Sequence, residues 1–182
     1  YNREKISGTY FKRIVLFLEN FHFVYNALTS NKSNKFDSIF TKYSIMLRKA
    51  KDKTEGHHIL DEFTNKLKVI LPRYDEFEKA FIELTFTKKK TPDNLKTRYV
   101  LNKLNSYYAS KEVFDDQGSV EHILPEILGD NDTQNIGNLI LLEQDLNRRC
   151  GNEDYSQKKS IYSESSYTEV KQFISDYKTW SK

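Results

Sequence analysis

A single cysteine stands among the 182 residues, Cys150, and one thiol cannot build a thiolate metal site. That scarcity fits a reducing compartment. No apolar run reaches the length needed to cross a bilayer: the most apolar stretch, Tyr10 to Tyr25, is interrupted by Lys12, Arg13, Glu19 and Asn20. There is no internal repeat, no low-complexity tract and no Gly-rich phosphate loop, which removes nucleotide hydrolysis from the activities expected of these residues. An overall polycationic signal is also missing, because the formal net charge is only +3.

What is present is enough for a core. With 37% hydrophobic and 14% aromatic residues, the chain is expected to form one large domain or two small ones. It begins at Tyr1 rather than methionine, as a piece of a longer protein would.

The first part reads as helices. Phe11, Ile14, Val15, Leu18, Phe21, Val24 and Leu28 recur at three and four residues, which predicts a long amphipathic helix from Ser7 to Leu28 whose aromatic stripe belongs to a core. Phe36 to Lys51 repeats the pattern, and His57-His58 opens a third helix to Leu71, closed by Pro72. A fourth is expected over Tyr74 to Thr85. Then Lys88-Lys89-Lys90-Thr91-Pro92-Asp93 marks an internal boundary, with Thr91 as cap and Pro92 at the first position of a helix to Tyr108. His58 has helical metal-ligand spacing to Asp61 or Glu62, but one histidine with a common acid reads as surface. The lysine run at 88–90 reads either as a phosphate contact or as a solvated loop.

The most informative stretch runs from Val120 to Asn152. Val120, His122 and Leu124 alternate with Glu121 and Ile123, Pro125 stops the strand, and a polar loop from Gly129 to Asn135 leads to a second strand, Ile136 to Leu142. A helix carrying Asn147 on its exposed side follows and stops at Gly151. Adjacent side chains on a regular strand face opposite ways, so Glu121 and His122 share a site only if the pleat breaks there. Downstream, Asp154 caps a helix through Ile161, and Ser166-x-x-Glu169 forms a capping box before a last helix from Tyr167 to Trp180.

Taken together, Glu121-His122-Ile123-Leu124-Pro125, Asn138-Leu139 and Asn147 resemble the motif of HNH nucleases of the His-Me finger type. The closer resemblance is to the HNH-like C-terminal domain of GmrSD-type modification-dependent restriction proteins. It is carried also by Gly137-Asn138-Leu139-Ile140-Leu141-Leu142, Leu146-Asn147, Gly151-Asn152, Lys158-Lys159 and a serine among Ser163, Ser165 and Ser166. It covers about the last third of the chain, with a looser likeness in the helices before it.

The helical periods give an N-terminal helical bundle over residues 1–110, so the expected fold class is α+β, mainly α, and the resemblance implies a ββα-metal (His-Me finger) nuclease module over 111–182. It implies that His122 is the general base, that Glu121 and Asn147 hold Mg²⁺ or Mn²⁺, and that Asn138 pins the loop and orients His122. Arg148, Arg149, Lys158 and Lys159 become candidate phosphate contacts. No structural zinc is expected, since Glu143 and Leu146 stand where many HNH proteins place zinc-binding cysteines. The implied partner is foreign or modified DNA, in a bacterial cytoplasm, with a nucleotide-dependent domain upstream. The family often continues as a helix where this chain ends at Thr179-Trp180-Ser181-Lys182, so an incomplete C-terminus is expected.

The charge distribution agrees: most Lys and Arg precede Gln117, and the nuclease-like part is slightly acidic. The same charges also read as solvated helix faces. Two other readings stay open, a non-catalytic DNA- or protein-binding module and an RNA nuclease with the same site.

Overall fold

The computed structural model describes residues 4–90, 94–110 and 118–181. The chain divides into two compact units, Tyr1–Phe81 and Ile82–Lys182. The sequence-derived boundary at 110/111 adjoins residues outside the described set. The helix that precedes it, Leu95–Tyr108, packs within the second unit.

The first unit is helical. Ser7 caps α1 (Gly8–His22) by accepting the Tyr10 amide, and α1 continues into a π-helical turn, Phe23–Leu28. The expected helix therefore spans both pieces, but its stripe is narrower than the spacing suggested: Ile14, Phe21, Tyr25 and Leu28 are buried, whereas Phe11 and Val15 are exposed. Next come α2 (Asp37–Lys49) and α3 (Lys53–Val69). The latter starts before His57 because Asp52 caps it through the Glu55 amide. Both pack together around Phe36, Tyr43, Ile59, Phe63 and Leu67. Gly56 is required here, since a Cβ would strike the carbonyl oxygen of Lys5. The fourth helix, α4, covers Tyr74–Ile82.

In the second unit the residues after α4 leave the helical path. Thr85 makes an antiparallel bridge to Asn135, Ile136 N–H donates to Leu84 O at 2.8 Å, and Phe86 N–H donates to Gln134 O at 2.9 Å. The helix expected to Thr85 thus gives way to an extended segment. Thr91 and Pro92, read as the start of α5, lie outside the described residues; α5 (Leu95–Tyr108) is capped by Asn94, which accepts from Thr97 N–H.

The hairpin is antiparallel, β1 (Ser119–His122) against β2 (Leu139–Leu142), with Glu121 opposite Ile140 and His122 opposite Leu139. The polar loop between them holds a short helix, α6 (Asn131–Gln134), capped by Asp130. Every residue of β2 is buried, since α5 and α9 both pack against it. Glu143 leads into α7 (Gln144–Cys150), which packs on β1 and ends at Gly151 with φ 52°. Asp154 caps α8 (Tyr155–Tyr162), and α9 covers Thr168–Asp176. The described residues are mainly helical with one small sheet, the α+β, mainly α class expected from the sequence. No helix among them is long and apolar enough to cross a membrane.

Candidate functional site

His122 closes β1, 3% exposed, with its ring against Phe86. Its Nε2 lies 2.9 Å from the carbonyl oxygen of Phe86. A carbonyl can only accept, so Nε2 carries the proton and Nδ1 keeps its lone pair. Nδ1 is 4.0 Å from Glu126 Oε2. Burial pushes the His122 pKa down, more than the Phe86 carbonyl and the Glu126 and Glu121 carboxylates push it up, and Lys88 adds to the lowering. The imidazole is therefore neutral at neutral pH, the state a general base requires.

Glu121 and His122 are successive residues of an unbroken strand, and they have different neighbours. Glu121 Oε1 lies 2.7 Å from Lys158 Nζ and accepts from the Tyr162 hydroxyl at 3.3 Å. Lys158, with no exposed surface, also donates to His122 O at 2.5 Å and Ile123 O at 3.4 Å. This corrects the reading of Lys158 as a phosphate contact: its ammonium is spent inside the fold, where a lone charge could not stay. Burial pushes the nearby Cys150 thiol up to about 12, so it stays protonated and unreactive.

Asn147 is buried rather than on the exposed side of α7. Its Nδ2 donates to Val120 O at 2.9 Å, which ties α7 to β1 and fixes the outward direction of Oδ1. That oxygen accepts from Lys88 Nζ at 3.1 Å. Asn138 is an internal clasp: Oδ1 accepts from Leu124 N–H at 2.8 Å, and Nδ2 donates to Leu124 O and Thr133 O at 2.9 and 2.8 Å. It thus braces the turn after His122. Trp180 Nε1 donates to the same Oδ1 at 3.1 Å. Of the remaining basic candidates, Arg148 and Arg149 are exposed and Lys159 is half-buried. Arg149 grips Glu164 through two nitrogens, Arg148 Nε donates to Gln144 O, and Lys159 Nζ donates to Tyr177 O.

Among the described residues no three of His, Cys, Asp and Glu gather as a metal cluster, so a divalent ion would depend on amide and carboxylate oxygens. Asn147 fits that role, because its Oδ1 already holds a cation, the Lys88 ammonium, and its amide cannot turn away. Glu121, expected as the other donor, is bound to Lys158 and 1% exposed.

Three features of this corner escaped sequence reasoning. The Phe86 carbonyl orients His122, and a backbone oxygen carries no residue signature. Glu126 follows Pro125, where the sequence signals only the end of a strand; its Oε1 accepts the Lys88 amide at 3.1 Å. Lys88 belongs to the lysine run at 88–90, but nothing in the sequence connects it to Asn147 across 59 positions.

A hairpin with a helix across it, a buried neutral histidine and a fixed amide oxygen suit phosphodiester chemistry, and comparison with known families assigns the chain to the restriction endonucleases. Residues 71–182 match the model described as GmrSD restriction endonucleases, C-terminal domain, and the chain belongs to that family. Membership implies nuclease activity in general and a DNA substrate. The match begins well before the motif, and so takes in the Phe86 to Lys88 segment that contacts His122 and Asn147. No curated protein matches the chain.

Proposed function

We propose that the second unit is an HNH-type, ββα-metal DNA endonuclease dependent on Mg²⁺ or Mn²⁺, the effector part of a bacterial system that restricts foreign or modified phage DNA and answers to a nucleotide-dependent domain upstream. The observation that carries this reading is the His122 Nε2 bond to Phe86 O, which leaves a neutral Nδ1 as the proton acceptor. His122 Nδ1 takes a proton from water, the hydroxide attacks phosphorus, and the bond to the sugar oxygen breaks with its electron pair on that oxygen. The divalent ion, held through Asn147 Oδ1, would offset the charge on the leaving oxygen. Glu121 joins that ion only on releasing Lys158. Asn138 keeps the turn after His122 in place, and exposed Arg148 and Arg149 and half-buried Lys159 are available for phosphates, Arg149 after parting from Glu164 and Lys159 after parting from Tyr177.

Plasmid cleavage with Mg²⁺ or Mn²⁺ tests this directly, alongside His122→Ala, Asn147→Ala and an EDTA control. Cutting by the parent alone, abolished by EDTA, is the expected result. Equal cutting by His122→Ala overturns the base assignment. Matched RNA in the same assay separates an RNA nuclease from a DNA nuclease, and metal-independent binding without cleavage would indicate a binding module.

A further inference from the structure

Lys88 takes no part in the chemistry just described, yet it reaches into that site. It is the first of three consecutive lysines on an exposed segment, and its two nitrogens are anchored differently. The backbone N–H is tied to Glu126 Oε1 at 3.1 Å, which fixes where the side chain starts. The ammonium lies 3.1 Å from Asn147 Oδ1. Lys89 and Lys90 instead line a neighbouring cavity of about 300 Å³ with Glu126, Ile127 and Asn152.

The amide oxygen and the ammonium are unequal partners. Asn147 is buried and held through Nδ2, so its oxygen stays where it is. Lys88 is exposed, and rotation of its four-carbon stem swings the ammonium away at small cost. One oxygen cannot be shared at close range by an ammonium and a divalent ion, whose charges repel. A phosphate beside His122 offers the displaced ammonium a stronger acceptor than a neutral amide.

We propose that Lys88 is an exchangeable cation of the nuclease site: it occupies Asn147 Oδ1 until a divalent ion takes that oxygen, and then binds the phosphate being cleaved. Metal and DNA are thereby coupled through one side chain, because each draws Lys88 toward the arrangement that favours the other.

The inference rests on the metal-dependent reading above, but its test reads binding rather than cleavage. Mn²⁺ affinity is measured by electron paramagnetic resonance on the parent chain, Lys88→Met and Lys89→Met, all without DNA. Lys88→Met is expected to bind Mn²⁺ roughly threefold to tenfold more tightly, since a competing charge is gone, and Lys89→Met to match the parent. In a His122→Ala background with Mn²⁺, Lys88→Met should weaken duplex DNA binding and reduce the salt-dependence slope by about one. Unchanged or weaker Mn²⁺ affinity in Lys88→Met overturns the proposal, as does a parent chain that binds no Mn²⁺. The shifts without plasmid cleavage would defeat only the endonuclease reading. Cleavage without the shifts would defeat only the role of Lys88.

Discussion

At the scale of single residues, the molecule sets protonation states by burial. His122 is the clearest case, because removal from water lowers its pKa below the ordinary 6.5. The base proposed for cleavage must be neutral to act, so with His122 in that role the acid limb of the cleavage pH profile should lie below 6.5, and activity should persist at pH values where an exposed histidine is mostly charged. Rates measured across pH with metal held saturating check this. Glu169 on α9 is driven the other way. It is 8% exposed, its Oε2 has no hydrogen-bond partner among the described residues, and burial raises its pKa from 4.5 to about 8. Within that window the folded chain keeps a proton that the unfolded chain has released. The stability Glu169 contributes is complete below the unfolded value and is lost as pH rises through the folded one. Thermal melts should weaken by about 1.4 kcal/mol per pH unit across the window, and Glu169→Gln should flatten that dependence.

At the scale of elements, two carboxylates join pieces distant in sequence. Glu121 of β1 meets Lys158 of α8, and the same ammonium holds the carbonyls of His122 and Ile123. Removing one partner leaves a buried charge alone, so Lys158→Met should cost about 3–5 kcal/mol in urea unfolding, and Lys158→Met with Glu121→Leu should recover most of it. Glu143, at the end of β2, binds the start of α9. Burial would raise its carboxyl pKa, but hydrogen bonds from Ser166 and Ser165 outweigh that and hold it below the usual value. The Ser166 hydroxyl and amide reach Glu143 Oε1 at 2.6 and 2.7 Å. This is why the expected capping box at Ser166-x-x-Glu169 does not form: the serine is taken by a residue 23 positions away, and Glu169 turns inward. A box is read from local spacing, and here a nonlocal acceptor won. The stop at Gly151 depended on local backbone alone and is present as expected; its positive φ makes Gly151→Ala destabilising by about 1 kcal/mol.

At the scale of the whole molecule, the chain has two compact units, and the family match spans the second together with α4. The second unit has its own core, in which Leu101, Leu141, Leu142 and Val170 are fully enclosed. It also carries the only tryptophan of the sequence, Trp180, bonded to Asn138. A chain of residues 71–182 should therefore fold by itself and lose its native tryptophan emission in one cooperative urea transition. Asn138→Ala should lower that midpoint by removing bonds to Leu124 and Thr133, each worth about 1–3 kcal/mol when a buried group is left unpaired.

The amino-acid sequence determined by itself what depends on neighbours in the chain. The period of α1, the helix stop at Gly151 and the two strands of the hairpin were legible there, as was the His122, Asn138 and Asn147 spacing on which the resemblance rests. Tertiary structure alone decided which groups those residues face. It gave Glu121 to Lys158, His122 to the Phe86 carbonyl and Asn147 to Val120 and Lys88. The physical reason is the same in each case. Backbone preference and hydrophobic period act over a few residues, whereas a buried charge or amide must find its partner wherever packing brings one within hydrogen-bond distance.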